Sequence, residues 1–172
     1  MKKILCLILA LSTVLCFASC GKKETEKKEE TEKIDLEYYV KMGKIPECDY
    51  VLGTEASEIA SNEDAEQSEG FRYICTAYNN VNYYYEKESE SEKITYIVSY
   101  NGAFGFTIGA TNTQITTTLA KSDLNAKEEP LEEDETFFIP VNGSFTGIKY
   151  TYGEYTLCFV FNGGILCAAT IY

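Results

Sequence analysis

Two acidic runs are the residues of this chain best suited to proton-transfer chemistry. Glu63, Asp64 and Glu66 form one, and Glu128, Glu129, Glu132, Glu133, Asp134 and Glu135 form the other. A pair of carboxylates can cleave a glycosidic bond, one protonating the leaving oxygen while the other attacks or activates water. Both runs fall among charged and polar residues where loops are expected, and carboxylates in such places are ordinarily just solvated. Calcium coordination needs spaced oxygens around a Gly turn, and residues 132–135 offer neither. Composition excludes much of the remaining chemistry, because the chain has no His and no Trp. Without His there is no Ser-His-Asp or Cys-His catalysis and no imidazole metal ligand. Without Trp the best cation-stacking side chain is missing. Asn162-Gly163-Gly164 is Gly-rich but lacks the Lys and Ser/Thr of a phosphate-binding loop. No cofactor and no metal site is implied.

The cysteines offer a different chemistry. Lys2 and Lys3 precede an apolar run from Ile4 to Leu15, and Phe17-Ala18-Ser19-Cys20 closes it. A membrane-spanning helix needs roughly 20 apolar residues, so this shorter run suits the core of a cleavable export signal. The segment resembles the bacterial lipobox, with small Ala18 and Ser19 before the cysteine and Phe17 where Leu is usual. The resemblance implies that residues 1–19 are a lipoprotein signal peptide. It also implies that Cys20 receives a diacylglyceryl group and becomes the new N-terminus. Two acyl chains, at roughly 0.8 kcal/mol per buried methylene, anchor stably where one would not. The expected location is the extracytoplasmic side of a cell membrane, with the lipid on Cys20 as the membrane contact. Residues 20–34 then read as a charged tether, since Lys22 to Lys33 is nearly all Lys, Glu and Thr and has no apolar stripe to bury.

Beyond Cys20, four cysteines remain: Cys48, Cys75, Cys158 and Cys167. An even number in an exported protein permits two disulfides. If Asn162-Gly163 is a two-residue turn, Cys158 faces Cys167 at a separation that suits a bridge. A three-residue loop with a bulge would separate them. The absence of any closely spaced Cys pair argues against zinc.

Without Lys2 and Lys3, the 15 basic residues fall to 13 against 27 acidic ones, a formal charge of −14. Nucleic-acid affinity comes largely from Lys and Arg neutralising phosphates, so no nucleic-acid partner is expected. About 135 residues remain after the tether, enough for one compact domain or two small units sharing a core. The 14 Tyr and nine Phe favour strands.

Segments of the first half recur in the second. Leu52-Gly53-Thr54 through Ile59 matches Ile108-Gly109-Ala110 through Ile115, Val81 to Tyr85 matches Ile148 to Tyr152, and Thr95 to Phe104 matches Thr156 to Ile165. Three blocks in the same order point to an internal duplication. The expected fold is α+β: two tandem units, residues 35–106 and 107–172, each a short helical segment on an antiparallel sheet of three to four strands. Thr111 and Gln114 predict a capping box for a helix carrying Ile115 and Leu119 on one face, and Thr54 predicts the matching cap. Strands are predicted over Phe71–Tyr78, Val81–Glu86, Ile94–Tyr100, Thr136–Val141, Gly147–Tyr152, Tyr155–Phe161 and Ile165–Tyr172. Asn101-Gly102 and Asn162-Gly163 are hairpin signals. Alternation assigns Val81, Tyr83 and Tyr85, Tyr96, Val98 and Tyr100, Ile148, Tyr150 and Tyr152, and Leu157, Phe159 and Phe161 to the core. Asn82, Tyr84, Glu86, Thr95, Ile97, Ser99, Lys149, Thr151, Thr156 and Val160 fall on an opposite face expected to be wet.

The Thr-capped helix running into Ala120-Lys121-Ser122-Asp123 is similar to the "G-x-T-x-x-E-V…L-G-x-P" helix of small bacterial lipoprotein domains. The ending, Tyr155-Thr-Leu-Cys-Phe-Val-Phe-Asn-Gly-Gly-Ile, is similar to their "Y-x-L-x-F-x-F-x-x-G-x-L" hairpin. These are the β-lactamase-inhibitor-protein-like domains, related in architecture to small outer-membrane-assembly lipoproteins. Ser122 stands where the family often has Pro, and Ala120 where it has Gly. The resemblance implies helices on a four-stranded antiparallel sheet, in tandem, with a concave side able to grip a protein.

The expected function is a membrane-anchored interaction module binding another protein of the cell envelope, not an enzyme. Its candidate binding face is Asn82, Tyr84, Glu86, Lys149 and Thr151. The alternative is a cell-wall glycan hydrolase using the loop carboxylates.

Overall fold

The computed structural model describes residues 33–89, 91–133, 135–140 and 142–172. Cys20, the export signal and nearly all of the tether lie outside the described residues. The elements run α1 (Leu36–Lys41), α2 (Ala56–Ala60), β1 (Glu66–Glu69), β2 (Tyr73–Tyr78), β3 (Val81–Glu86), β4 (Tyr96–Ser99), α3 (Asn112–Lys121), β5 (Glu128–Pro130), β6 (Phe145–Tyr152), β7 (Tyr155–Asn162) and β8 (Ile165–Ile171). The fold is α+β, with all eight strands in one antiparallel sheet of order β1-β2-β3-β4-β8-β7-β6-β5. Two meanders therefore meet through their last strands, with Ile97 opposite Ile171 and Ser99 opposite Ala169.

Local chemistry explains most boundaries. Thr111 caps α3 as its spacing predicts: its hydroxyl accepts from the Gln114 N–H, and the Gln114 side chain accepts from the Thr111 N–H. The helix ends at Lys121 with Ser122 at its C-cap. Thr54 does not cap α2. Glu55 holds that position without a side-chain bond, because the Ala56 N–H already donates to the Glu92 carbonyl at 2.8 Å. The first helix, α1, arises where the tether was expected to end. Asp35 accepts from the Tyr38 N–H, and Leu36 and Val40, one turn apart, are buried. Ile34 also packs against the core.

The three helices and the loop between α1 and α2 cover one face of the sheet. Leu36, Val40, Ile45, Ile59, Ile115 and Leu119 meet Tyr83, Ile97, Leu157, Phe159 and Ile171 there. The second face is not wet across its middle. A strap of residues 131–133 and 135–140 crosses it and buries Tyr96, Val98, Cys158, Val160 and Ala168 beneath Ile139 and its neighbours. The strap occupies the segment predicted as a strand over Thr136–Val141. Its described part is turn and irregular chain. Gly147 admits it: a Cβ there would stand 2.7 Å from the Leu131 side chain and 2.6 Å from the Cys158 sulfur.

Burial on both faces reverses one assignment. All four residues of β4 are buried, so alternation carries no contrast to choose a side. Tyr83 pairs with Ile97 and Val81 with Ser99, which sends Ile97 and Ser99 to the helix side and Tyr96, Val98 and Tyr100 to the strap side. Buried Ser99 satisfies its hydroxyl by donating to the Gly102 carbonyl at 2.8 Å.

Both Asn-Gly signals mark turns, with shifted roles. After Asn101-Gly102 the chain makes a tight turn bridged by Ala103 and Phe106 and leaves the sheet. Gly102 has φ +94, and a Cβ there would strike the Phe106 carbonyl. The β7–β8 turn is Gly163-Gly164, both at positive φ, with Asn162 opposite Ile165. A register shift at Val160/Phe161 then leaves Cys167 as the extra residue and sets Cys158 opposite Thr170. The expected Cys158–Cys167 bridge does not form, and Cys48, Cys75, Cys158 and Cys167 are free thiols.

Candidate functional site

The second face is incompletely covered at its β1–β3 end. The β1–β2 hairpin closes where the Gly70 N–H donates to the Tyr73 carbonyl at 2.9 Å. That tight tip leaves Phe71 fully exposed. Arg72 sits over the Tyr73 ring, 5.5 Å from its centroid, and bonds the Glu86 carboxylate at 2.8 Å. From the strap, Phe138 reaches down to Tyr84 (ring centroids 4.2 Å apart), Tyr96 (4.5 Å) and Tyr73 (4.8 Å). Its neighbour Phe137 stands 66% exposed. Phe71, Arg72, Tyr73, Tyr84, Phe137 and Phe138, with Ser68, Cys75, Asn82 and Pro140, line a cleft of about 370 Å³.

The polar groups of the cleft are uncharged or neutralised. Asn82 donates to the Tyr84 hydroxyl at 3.0 Å. Burial, and then the nearby Cys75, push the Tyr84 phenol above its ordinary range. Burial likewise raises the Cys75 thiol, against hydrogen bonds to Tyr84 and Ser68 that pull it down. Both groups therefore keep their protons at neutral pH and can donate hydrogen bonds. Arg72 pairs with Glu86, and Lys87 with Glu69. Apolar ring faces with a few fixed polar groups are the usual make-up of a binding pocket.

The strap that forms one wall is held from several sides. The Tyr96 hydroxyl donates to the Glu135 carbonyl at 3.1 Å, and the Leu131 N–H to the Phe145 carbonyl at 3.1 Å. Lys149 bonds the Glu135 carboxylate at 2.5 Å and faces Glu129 at 3.6 Å. Burial pushes the Glu135 carboxyl up, but Lys149, the Glu132 N–H and the Tyr172 hydroxyl outweigh it and hold it below the ordinary carboxylate range. Burial alone would lower Lys149, and Glu135 reverses that.

The predicted binding face thus divides. Asn82 and Tyr84 line the cleft, and Glu86 sits beside it on Arg72. Lys149 is spent on the strap. Thr151 is exposed on β6, its hydroxyl 2.9 Å from that of Thr156. Sequence reasoning missed Phe71, Arg72, Tyr73, Phe137 and Phe138. The available signal was two Phe side chains within hydrophilic stretches, Ser68-Glu69-Gly70-Phe71-Arg72 and Asp134-Glu135-Thr136-Phe137.

The acidic runs lie at opposite edges of the sheet, with Glu66 in β1 and Glu128 and Glu129 in β5, six strands intervening. Glu128 accepts from Asn112 at 2.5 Å and also from Thr146. Among the described residues no group of three or more Cys, Asp or Glu is arranged to hold a metal, and no helix is long and apolar enough to cross a membrane. Compared with known proteins, the chain matches no family model, no curated protein and no solved structure.

Proposed function

We propose that this chain is a lipoprotein anchored through Cys20 on the extracytoplasmic side of a membrane, where it binds another protein of the cell envelope through the aromatic cleft. The observation that carries the binding reading is the pair of exposed rings, Phe71 and Phe137, at a formed cleft with Asn82 and Tyr84 inside it. Buried aromatic anchors in a pocket supply most of the energy in protein interfaces, and contiguous exposed apolar surface is uncommon on a monomer without such a role. The anchoring reading rests on the order of charge, apolar run, small residues and cysteine at the N-terminus.

The tandem reading belongs with it. Two four-stranded meanders, each preceded by helix and meeting through β4 and β8, have the order a duplicated helix-plus-sheet unit would give. The equivalence this order implies is β3 with β7 and β4 with β8, one strand away from the sequence blocks that match β3 to β6 and β4 to β7. The likeness to β-lactamase-inhibitor-protein-like domains draws on the same arrangement of helices over an antiparallel sheet.

The test joins anchor and cleft. The full chain expressed in its own envelope should enter the detergent phase on phase separation, and Cys20→Ser should leave it in the aqueous phase. Chemical crosslinking should then capture a defined envelope protein, with capture lost in Phe71→Ser plus Phe137→Ser and kept in Tyr38→Ser on the helix side. Equal capture by both variants would remove the cleft from the reading.

A further inference from the structure

We propose that the open edge of β1, beside the cleft, takes an extended peptide segment with a basic and an apolar residue two positions apart, on one face, as a ninth strand. This rests on the binding-module reading and names the chemistry of its partner. The sheet has two edges, and they are built differently. β5 is three residues long and ends at Pro130, which has no N–H, and its Glu128 side chain is tied to Asn112 and Thr146. β1 is four residues long, all exposed, with no proline.

The hairpin register shows which backbone groups are free. Gly70 and Tyr73 are a hydrogen-bonded pair. Bonded and non-bonded pairs alternate along an antiparallel ladder, so Ser68 with Cys75 and Glu66 with Ala77 are the bonded ones. The N–H and C=O groups of Gln67 and Glu69 therefore point away from β2, toward a strand position that no described strand fills. Main-chain pairing of this kind supplies affinity in strand addition, while pockets for alternate side chains supply selectivity.

Side chains on the cleft face run in rows across the ladder: Ser68, Cys75 and Tyr84 in one, Glu66, Ala77 and Asn82 in the next. A ninth strand extends those rows. Its cleft-facing residue next to Ser68 would lie near Phe71 and Tyr73, an apolar position. One row along, its side chain would lie beside Glu66. Glu66, and Glu63 and Asp64 just before it, have no cationic partner among the described residues, whereas Glu69 is neutralised by Lys87. In a chain of formal charge −12, that edge favours Lys or Arg in the incoming segment. The same carboxylates repel the β1 edge of a second copy, a common protection of exposed strands.

The probe is a capped eight-residue peptide, Thr-Lys-Thr-Phe-Thr-Lys-Thr-Phe, whose Lys and Phe share one strand face, added to the full-length chain in detergent micelles. Controls are the same peptide with Glu for Lys, and the Lys–Phe peptide N-methylated at alternate residues, which keeps the side chains but cannot pair as a strand. The Lys–Phe peptide should bind and protect the Gln67 and Glu69 amides from hydrogen exchange. N-methylation, Glu66→Lys and Gln67→Pro should each weaken binding at least tenfold, while Glu129→Gln at the other edge leaves it unchanged. Gln67→Pro removes only an outward N–H, a position where an edge strand tolerates proline, and the amide-protection readout on the unaltered chain does not depend on that variant. Equal binding of the methylated or acidic peptide, protection elsewhere, or self-association through β1 would each overturn the proposal. If the peptide fails while envelope capture still depends on Phe71 and Phe137, the strand-addition inference falls and the cleft reading stands.

Discussion

Phe138 is the side chain that joins the strap to the sheet, and Phe138→Ala measures that junction. Truncating a fully buried Phe costs about 3–5 kcal/mol. Phe138 is half-buried, so its transfer and cavity share is about 2 kcal/mol on that scale. Its ring also meets Tyr84, Tyr96 and Tyr73 at 4.2, 4.5 and 4.8 Å. Such pairs add about 0.5–1.5 kcal/mol each at good geometry, and the two tilted contacts and one edge-on contact here support about 1 kcal/mol in total. The expected loss is about 3 kcal/mol. Urea unfolding followed by tyrosine fluorescence reads it directly, since the chain has no Trp. At a slope of about 1–3 kcal/mol per molar urea, the midpoint falls by about 1–3 M. Hydrogen exchange should accelerate first at the Leu131 and Ile139 amides, which bond to Phe145 and Thr136. Phe137→Ala, one residue away and exposed, should change stability by less than about 0.5 kcal/mol. A Phe138→Ala loss below about 0.5 kcal/mol, or a Phe137→Ala loss of equal size, would refute the strap as a packed element.

Acid should loosen the same strap. Because the Glu135 carboxyl is held below its ordinary range in the fold, the stability it contributes is present above about pH 4.3, the unfolded value, and is lost as pH falls through the lowered one. Acid unfolding of Glu135→Gln compared with the unaltered chain should show a flatter dependence in that window. Thr111→Ala should destabilise by about 1 kcal/mol through the lost cap of α3, while Thr54→Ala, whose hydroxyl caps nothing, stays near neutral in the same thermal assay. Gly147→Ala should lower the unfolding midpoint and raise exchange at Leu131, because the new methyl group meets the strap and Cys158. Alkylation of the native chain should leave Cys48 and Cys158 unmodified, since burial raises both thiols to about 12, and all four thiols should count as free by mass after unfolding without reductant.

What was legible in the sequence was what local chemistry decides. The Thr111–Gln114 capping box, the alternation of Val81, Tyr83 and Tyr85, and the run from Tyr155 to Phe161 are each settled by neighbours a few residues away, and each appears in the fold. Lost were features that depend on tertiary cover. β4 is buried on both sides, so its pattern holds no directional signal and its faces were reversed. β1 and β5 are short acidic strands whose composition resembles loops, and only pairing with β2 and β6 makes them strands. The strap reads as a strand because Phe137-Phe138-Ile139 is apolar, but those residues serve a sheet already eight strands wide. The Cys158–Cys167 pairing failed because Gly163-Gly164 rather than Asn162-Gly163 took the turn, and the register shift at Val160/Phe161 then moved the partner of Cys158 further, to Thr170. The cleft was half visible for the same reason. Asn82 and Tyr84 follow from strand period, whereas Phe71 and Phe137 acquire meaning only when hairpin tip and strap come together.

The most direct measurement on the central claim places a photo-crosslinking residue at one position at a time in the anchored, full-length protein. At Phe71 or Phe137 it should trap one and the same envelope protein, and at Tyr38, exposed on the helix side, it should trap none. Trapping of that protein from Tyr38 but not from Phe71 or Phe137 would contradict the cleft as the binding surface.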